Sequence, residues 1–390
     1  QMRHAKSGQW WENEGQRALA NNSVAFKGKP EMGTFMREWT ALYESKSGER
    51  GIFNRQSAKV KASENGRRDD NYYFGCNPCS EIILRPYQFC NLTEVVARET
   101  DDIVSLKDKV RMATILGTFQ STLTDFKYLR KVWKDNTEEE RLLGVSLTGI
   151  LDCPVLSPDN SNLKSNLEML RAVAVETNKK ISKDLGIPQS TAITCVKPSG
   201  TVSQLVDSAS GIHARHNPFY IRTVRGDNKD PLTQFMKEAG IPIEPDVMKP
   251  DSVSVFSFPM KSPTNAITRT QMTAIEQLDY WLLFQRHWCE HKPSVTISVK
   301  EHEWMDVGAW VYRNFDEVSG ISFLPFSDHT YAQAPYQDID EKEYIELTKK
   351  MPSAIDWSKL QDFEKEDTTT GTKDLACVAG SCEIVDIEGR

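Results

Sequence analysis

Apolar residues recur three or four positions apart at Leu163, Leu167, Leu170, Ala174, Ile181 and Leu185, and Gly186 then Pro188 close the run. That period predicts an amphipathic helix with one buried stripe and a glycine after its last turn. Residues 191–196 are short and β-branched, 294–299 alternate with period two, and 321–325 form a further apolar run, so all three are expected strands. Ile82, Ile83 and Leu84 add a short run suited to a buried strand. Residues 10–48 and 106–133 read as mainly helical, and Glu138, Glu139 and Glu140 ahead of Leu142 and Leu143 suggest the first turn of another helix. Residues 47–55 read as a loop and 58–71 as a polar, solvent-exposed stretch. Strands separated by long helices predict an α/β architecture with a largely parallel sheet, open or closed into a barrel.

Composition narrows the class. With 39% hydrophobic and 26% charged residues in 390, the chain can bury a sizeable core. No apolar run approaches the roughly 18 residues of a spanning helix, and no secretion signal opens the chain, so a cytoplasmic location without membrane attachment is expected. A net charge of −7 argues against general nucleic-acid binding, which needs clustered Lys and Arg. Eight cysteines in a large chain without a signal read as reduced thiols. Beyond Trp357 the composition turns polar, and residues 361–390 read as a flexible tether.

The candidate chemistry concentrates in residues 75–94, where Asn77, Cys79, Glu81 and Cys90 bring an amide, two thiols and a carboxylate together. Pro78 biases Asn77 toward an extended conformation, in which residues two apart share a side, so Asn77, Cys79 and Glu81 are expected to face one site. A carboxylate beside a thiol can take a proton from a bound hydroxyl. Cys377 and Cys382, across a turn at Gly380, suit thiol–disulfide exchange on an exposed arm. Cys76 and Cys79 also form a Cys-x-x-Cys pair, and a non-enzymatic zinc-binding or thiol-relay module built on Cys76, Cys79, Cys377 and Cys382 is the alternative. Pro198, Ser199, Gly200, Thr201, Val202 and Ser203 follow an expected strand and precede an expected helix, where N–H and O–H groups can cradle a phosphate. The Gly-x-x-x-x-Gly-Lys frame of a P-loop is absent. His213 and His216 have a spacing that metals use, but a structural pair is the commoner outcome. Trp281, Trp288 and Trp304 are expected in the core.

With these residues in hand, the chain resembles the catalytic chain of ribonucleotide reductases, most closely the monomeric, adenosylcobalamin-dependent class II ribonucleoside-triphosphate reductases. The resemblance rests on Asn77-Pro78-Cys79-x-Glu81, on Cys90 within Phe89-Cys90-Asn91-Leu92-Thr93-Glu94, on Lys197-Pro198-Ser199-Gly200-Thr201, and on Cys377-x4-Cys382. It implies part of a ten-stranded α/β barrel over residues 1–360 with a finger loop at about 75–90, and a redox-active tail over 361–390. It implies that Cys79 becomes the thiyl radical, that Glu81 takes the 3′-hydroxyl proton, and that Asn77 holds the ribose hydroxyls. Cys90 would be one of two thiols reducing the 2′ carbon, Cys377 and Cys382 would re-reduce that pair, and Ser199–Ser203 would hold the substrate phosphates. Adenosylcobalamin is the implied cofactor, and no protein-ligated metal is expected. Implied partners are a ribonucleoside di- or triphosphate substrate, a thioredoxin-like reductant and a deoxynucleotide effector. The effector region, the first barrel half and the partner thiol of Cys90 are not found in this sequence, so the chain is expected to need an N-terminal portion, whether fused or separate, for turnover.

Overall fold

The structure, a computed structural model, describes residues 5, 22–46, 48, 50–247, 249–326 and 333–364, and the backbone alone at 377–378 and 381–382. It divides into two units, 1–215 with 265–326 and 216–264 with 327–390. The first unit carries β1 (Ser23–Phe26), β2 (Gly51–Asn54), β3 (Gly75–Cys76), β4 (Ile83–Leu84), β5 (Asn91–Val96), β6 (Leu143–Thr148) and β7 (Thr194–Cys195). The second carries β8 (Phe219–Asp227), β9 (Ile243–Pro245) and β10 (Val253–Lys261). The chain returns to the first unit with β11 (Thr296–Val299) and β12 (Ser322–Pro325), and β13 (Tyr336–Asp338) belongs to the second.

Apart from the β3–β4 hairpin, the strands of the first unit form one path. β5, β6 and β7 run parallel, β11 and β12 run parallel, and so do β1 and β2. A parallel bridge between Val196 and Pro293 joins β7 to the approach of β11, and an antiparallel bridge between Ile52 and Ile321 joins β12 to β2. The order is therefore β5-β6-β7-β11-β12-β2-β1, with the last two strands reversed. The α/β expectation with a mainly parallel sheet holds here. Among the described residues the path is not closed into a barrel; β5 and β1 are its ends.

The helix Leu163–Leu185 stands where its periodicity places it, with Leu163, Leu167, Leu170 and Ala174 buried and Gly186 left-handed at φ 67°. Each fully buried leucine contributes about 1.5–3 kcal/mol relative to exposure. Trp281, Trp288 and Trp304 are core residues, as expected.

Several expectations change. The acids at 138–140 do not open a helix: they end one, Lys131–Glu140, and Arg141 at φ 45° turns the chain into β6. All six residues of β6 are buried, the apolar Leu143, Val145 and Leu147 alternating with the smaller Gly144, Ser146 and Thr148. The loop expected at 47–55 contains the buried strand β2. The stretch expected to be exposed at 58–71 begins as a helix, Arg55–Ser63, because the Asn54 side chain caps the N–H groups of Gln56 and Ser57. That helix buries Ala58 and Ala62. The expected helix at 10–48 is seen as Met32–Ser45 preceded by strand β1; residues 6–21 lie outside the described residues.

The second unit is antiparallel, in the order β13-β8-β10-β9, and departs from the largely parallel sheet expected. Its strands β8 and β10 alternate only weakly between inside and outside. No helix among the described residues is long and apolar enough to cross a membrane.

Candidate active site

β3 and β4 pair antiparallel, Cys76 opposite Ile83, and present residues 77–82 as a hairpin loop. The loop is not the extended segment that Pro78 suggested. Ser80 N–H donates to the Asn77 carbonyl at 2.9 Å, Ser80 takes a left-handed φ of 62°, and the Asn77 side-chain carbonyl accepts from Ile82 N–H at 3.0 Å. The turn, not strand alternation, decides which side chains meet. Cys79 and Glu81 come together, while the Asn77 oxygen is used to tie the loop.

One flank of this hairpin is a rail formed by residues 290–294. Ser294 Oγ donates to the Cys79 carbonyl at 2.6 Å, Lys292 Nζ to Ser80 Oγ at 2.8 Å, and Lys292 N–H to the Glu81 carbonyl at 3.2 Å. His291 Nδ1 accepts from Ile83 N–H at 3.3 Å while Nε2 lies 2.9 Å from the Leu143 carbonyl. With Nδ1 accepting, Nε2 carries the proton and the ring is neutral. Burial, helped by the Arg68 charge, drops the His291 pKa to about 3. Burial also lowers Lys292 to about 8, against the pull of Cys76 and Glu81. Glu290 is held by the Arg67 guanidinium at 2.6 and 2.7 Å.

The other flank is Lys197, placed just beyond β7 by a hydrogen bond from its N–H to Ser146 Oγ at 2.8 Å. Its Nζ lies 3.4 Å from Glu81 Oε1 and 4.0 Å from Cys79 Sγ. Burial acts to lower the Lys197 pKa, but the Glu81 carboxylate and the Cys79 sulfur outweigh it and the net shift is upward. Glu81 is fully buried, and its Oε2 has no hydrogen-bond partner among the described residues. A buried carboxylate oxygen left open beside a thiol is suited to accept from a ligand hydroxyl.

Cys90 leads into β5 next to Gly144, where an added Cβ would come within 3.2 Å of Cys90 Sγ and 2.5 Å of a Leu92 methyl. Glycine at 144 therefore makes room for this thiol. Burial pushes the Cys90 thiol far upward, and the Glu81 charge adds to the rise. By register Glu94, Ser146 and Cys195 are side by side on β5, β6 and β7. Glu94 is raised by burial, against Ser199, Lys197 and Thr148, which hold it down.

In the segment 198–203, Ser199 and Ser203 are buried and bonded to each other, Ser203 N–H donating to Ser199 Oγ at 3.1 Å. Gly200, Thr201 and Val202 are exposed, and Pro198 is half-buried. The helix that follows, Val202–Leu205, is a single turn. His213 and His216 form no metal pair. His213 Nδ1 lies 2.9 Å from the Ser210 carbonyl and Nε2 accepts from Thr296 N–H at 3.0 Å, so both nitrogens are engaged by backbone. Among the described residues no group of three or more His, Cys, Asp or Glu could hold a metal ion. Cys377 and Cys382 face each other in backbone register, Cys377–Val378 against Ser381–Cys382; their side chains lie outside the described residues. A shallow depression between the helix Met32–Ser45 and β1–β2 shares no residue with the hairpin.

Sequence reasoning missed His291 and Lys292, and it quoted Lys197 only as part of the Lys197–Thr201 motif, without a role. A signal was available: Glu290, His291 and Lys292 are three charged or titratable residues placed directly before an alternating strand, where no helix face could solvate them.

The arrangement is a thiol and a carboxylate on a turn, held from one flank and open at the other, in a path of parallel strands. In fold, the chain is similar to a B12-dependent class II ribonucleotide reductase, with a TM-score of 0.74 and 22% identity, over 93% of this chain and 54% of that one. The alpha subunit of an Actinobacillus ureae class Id ribonucleotide reductase follows at a TM-score of 0.53 and 13% identity, over 82% of this chain and 64% of that one. The chain thus has the ribonucleotide reductase fold.

In sequence it is similar to proteins named adenosylcobalamin-dependent ribonucleoside-triphosphate reductases. It is 28% identical to that of Lacticaseibacillus paracasei, over 88% of this chain and 50% of the relative. It is 30% identical to a probable one from Dictyostelium discoideum, over 81% and 41%, and 26% identical to that of Lactobacillus leichmannii, over 94% and 53%. No family model matches. The chain spans about half the length of the curated relatives it matches.

Proposed function

We propose that this chain supplies the radical-thiol portion of an enzyme that reduces ribonucleoside triphosphates to 2′-deoxyribonucleotides. The observation that carries the reading is the convergence of the Cys79 thiol and the Glu81 carboxylate on a turn braced by residues 290–294. Relatives whose names state this activity support it over most of the chain.

In this reading Cys79, as a thiyl, takes the 3′ hydrogen atom of the ribose, so that S–H forms as C3′–H breaks. Glu81 accepts the 3′-hydroxyl proton at its unpartnered Oε2. Asn77 fixes the turn through Ile82 N–H and keeps its amide nitrogen for a ribose hydroxyl. Cys90 is one of two thiols that deliver two electrons at C2′ as water leaves, and they end as a disulfide. The other thiol comes from outside this sequence. Cys377 and Cys382 exchange with that disulfide, and a thioredoxin-like dithiol restores them. Pro198–Ser203 meet the substrate phosphates through their exposed members Gly200, Thr201 and Val202.

The relatives named as adenosylcobalamin-dependent suggest the same cofactor here. The fit is at the thiol: Cys79 is partly exposed on the hairpin loop, so this chain contributes a reactive thiol. When bound, adenosylcobalamin would supply the radical that converts Cys79 to its thiyl form.

The seven-strand path supports a ten-stranded barrel in which further strands lie between the open edges of β5 and β1. Substrate and effector use belong to that whole assembly.

The test is complementation. The chain mixed with the N-terminal portion of a relative, adenosylcobalamin and a dithiol is expected to form deoxynucleotide, and the Cys79→Ser chain is expected to form none.

A further inference from the structure

Two lysines approach the Cys79 hairpin, and they are not equivalent. Lys292 is fully buried, with its ammonium spent on Ser80 Oγ. Lys197 is half-buried and stands on the thiol side, 3.4 Å from Glu81 Oε1 and 4.0 Å from Cys79 Sγ. The other groups around it are Glu94 and Cys90 at β5 and Cys195 on β7; Cys76 on β3 is paired electrostatically with Lys292. One cation therefore contacts both the carboxylate and the sulfur.

We propose that Lys197 is a positioning residue shared by Glu81 and Cys79: the buried carboxylate claims its ammonium and so keeps Cys79 a thiol rather than a thiolate. A cation next to a thiol favours the thiolate, and a carboxylate that engages that cation first cancels the effect. This matters only if the reductase reading is right, because a hydrogen atom can be taken from S–H and not from S⁻. The rest of the geometry agrees. The shorter of the two contacts goes to the carboxylate, and the Ser146 hydrogen bond fixes the backbone from which Lys197 reaches both.

The test is site-resolved alkylation of the full chain with iodoacetamide near neutral pH, read by mass spectrometry at Cys79, with no nucleotide or cofactor present. Glu81→Gln is expected to speed alkylation of Cys79 about three- to tenfold, on the scale that one released neighbouring charge has on a thiol. Lys197→Met is expected to cut that acceleration to the smaller part that comes from removing the Glu81 charge itself, so that Glu81→Gln gains clearly less in the Lys197→Met background than in the wild type. Lys197→Arg is expected to restore part of it. Cys76, whose cation is Lys292, serves as the internal control: its response to Glu81→Gln is expected to be the same with or without Lys197. An equal acceleration in both Lys197 backgrounds, or none in either, would overturn the proposal. If Lys197→Met fails to fold, Lys197→Gln is read in its place. Since no turnover is measured, a negative result here leaves the reductase reading to the complementation assay, and a failed complementation leaves this coupling intact.

Discussion

The two flanks of the Cys79 hairpin are built differently. On the rail side, His291 and Lys292 are fully buried, and both ring nitrogens of His291 and the ammonium of Lys292 have protein partners. On the Lys197 side, the lysine is half-buried, Glu81 keeps an unpartnered oxygen, and residues 200–202 are exposed. A fully satisfied polar network rigidifies, whereas a partly satisfied one leaves capacity for a ligand. The rail fixes where the thiol and carboxylate are; the open flank is where substrate chemistry has room.

If that division is right, rail substitutions change stability and open-flank substitutions change chemistry. The largest expected effect is at His291. It stays neutral in the folded chain down to about pH 3, whereas an ordinary histidine takes its proton near 6.5. Its contribution is therefore present above about pH 6.5 and lost as pH falls toward 3, up to about 5 kcal/mol. Urea unfolding across that window should show a shallower acid loss for His291→Gln, which keeps a donor and an acceptor but cannot titrate. Matching acid limbs would mean that the ring is not held neutral.

Lys292 comes next, with the opposite pH window. Its folded pKa of about 8 lies below the ordinary 10.5, so the cost of burying its charge is full below pH 8 and is relieved as pH rises toward 10.5. The wild-type chain should gain about 3 kcal/mol relative to Lys292→Met over that range, measured by urea midpoints. A parallel pH course in the two proteins would break the assignment. Gly320→Ala should cost about 2–3 kcal/mol by overpacking, because an added Cβ would meet Lys292 Nζ at 2.0 Å and Ser80 Oγ at 3.0 Å. On the open flank, Thr201→Ala should move stability by no more than about 0.5 kcal/mol. In the complemented enzyme it should nevertheless raise the KM for nucleotide, and a stability loss comparable to the rail variants would erase the contrast.

The sequence exposed the chemistry better than its placement. Helix Leu163–Leu185 was legible because a 3.6-residue stripe ended in Gly186 and Pro188. β6 was not, because its preceding acids resemble a helix start and Gly144, Ser146 and Thr148 do not announce a second buried face. Cys79, Glu81 and Cys90 were legible as residue types, but the meeting of Cys79 with Glu81 depends on the left-handed Ser80, which Pro78 alone does not announce. His291, Lys292 and Lys197 act from segments more than 100 residues away along the chain, a separation that local pattern does not encode.

The central claim is that Cys79 is the thiol at which ribose chemistry begins. It is tested most directly by deoxynucleotide formation in the chain complemented with a relative's N-terminal portion, adenosylcobalamin and a dithiol, comparing wild type with Cys79→Ser and Cys76→Ser. Loss of product in Cys79→Ser with product retained in Cys76→Ser is the predicted result, and product formation by Cys79→Ser would contradict it.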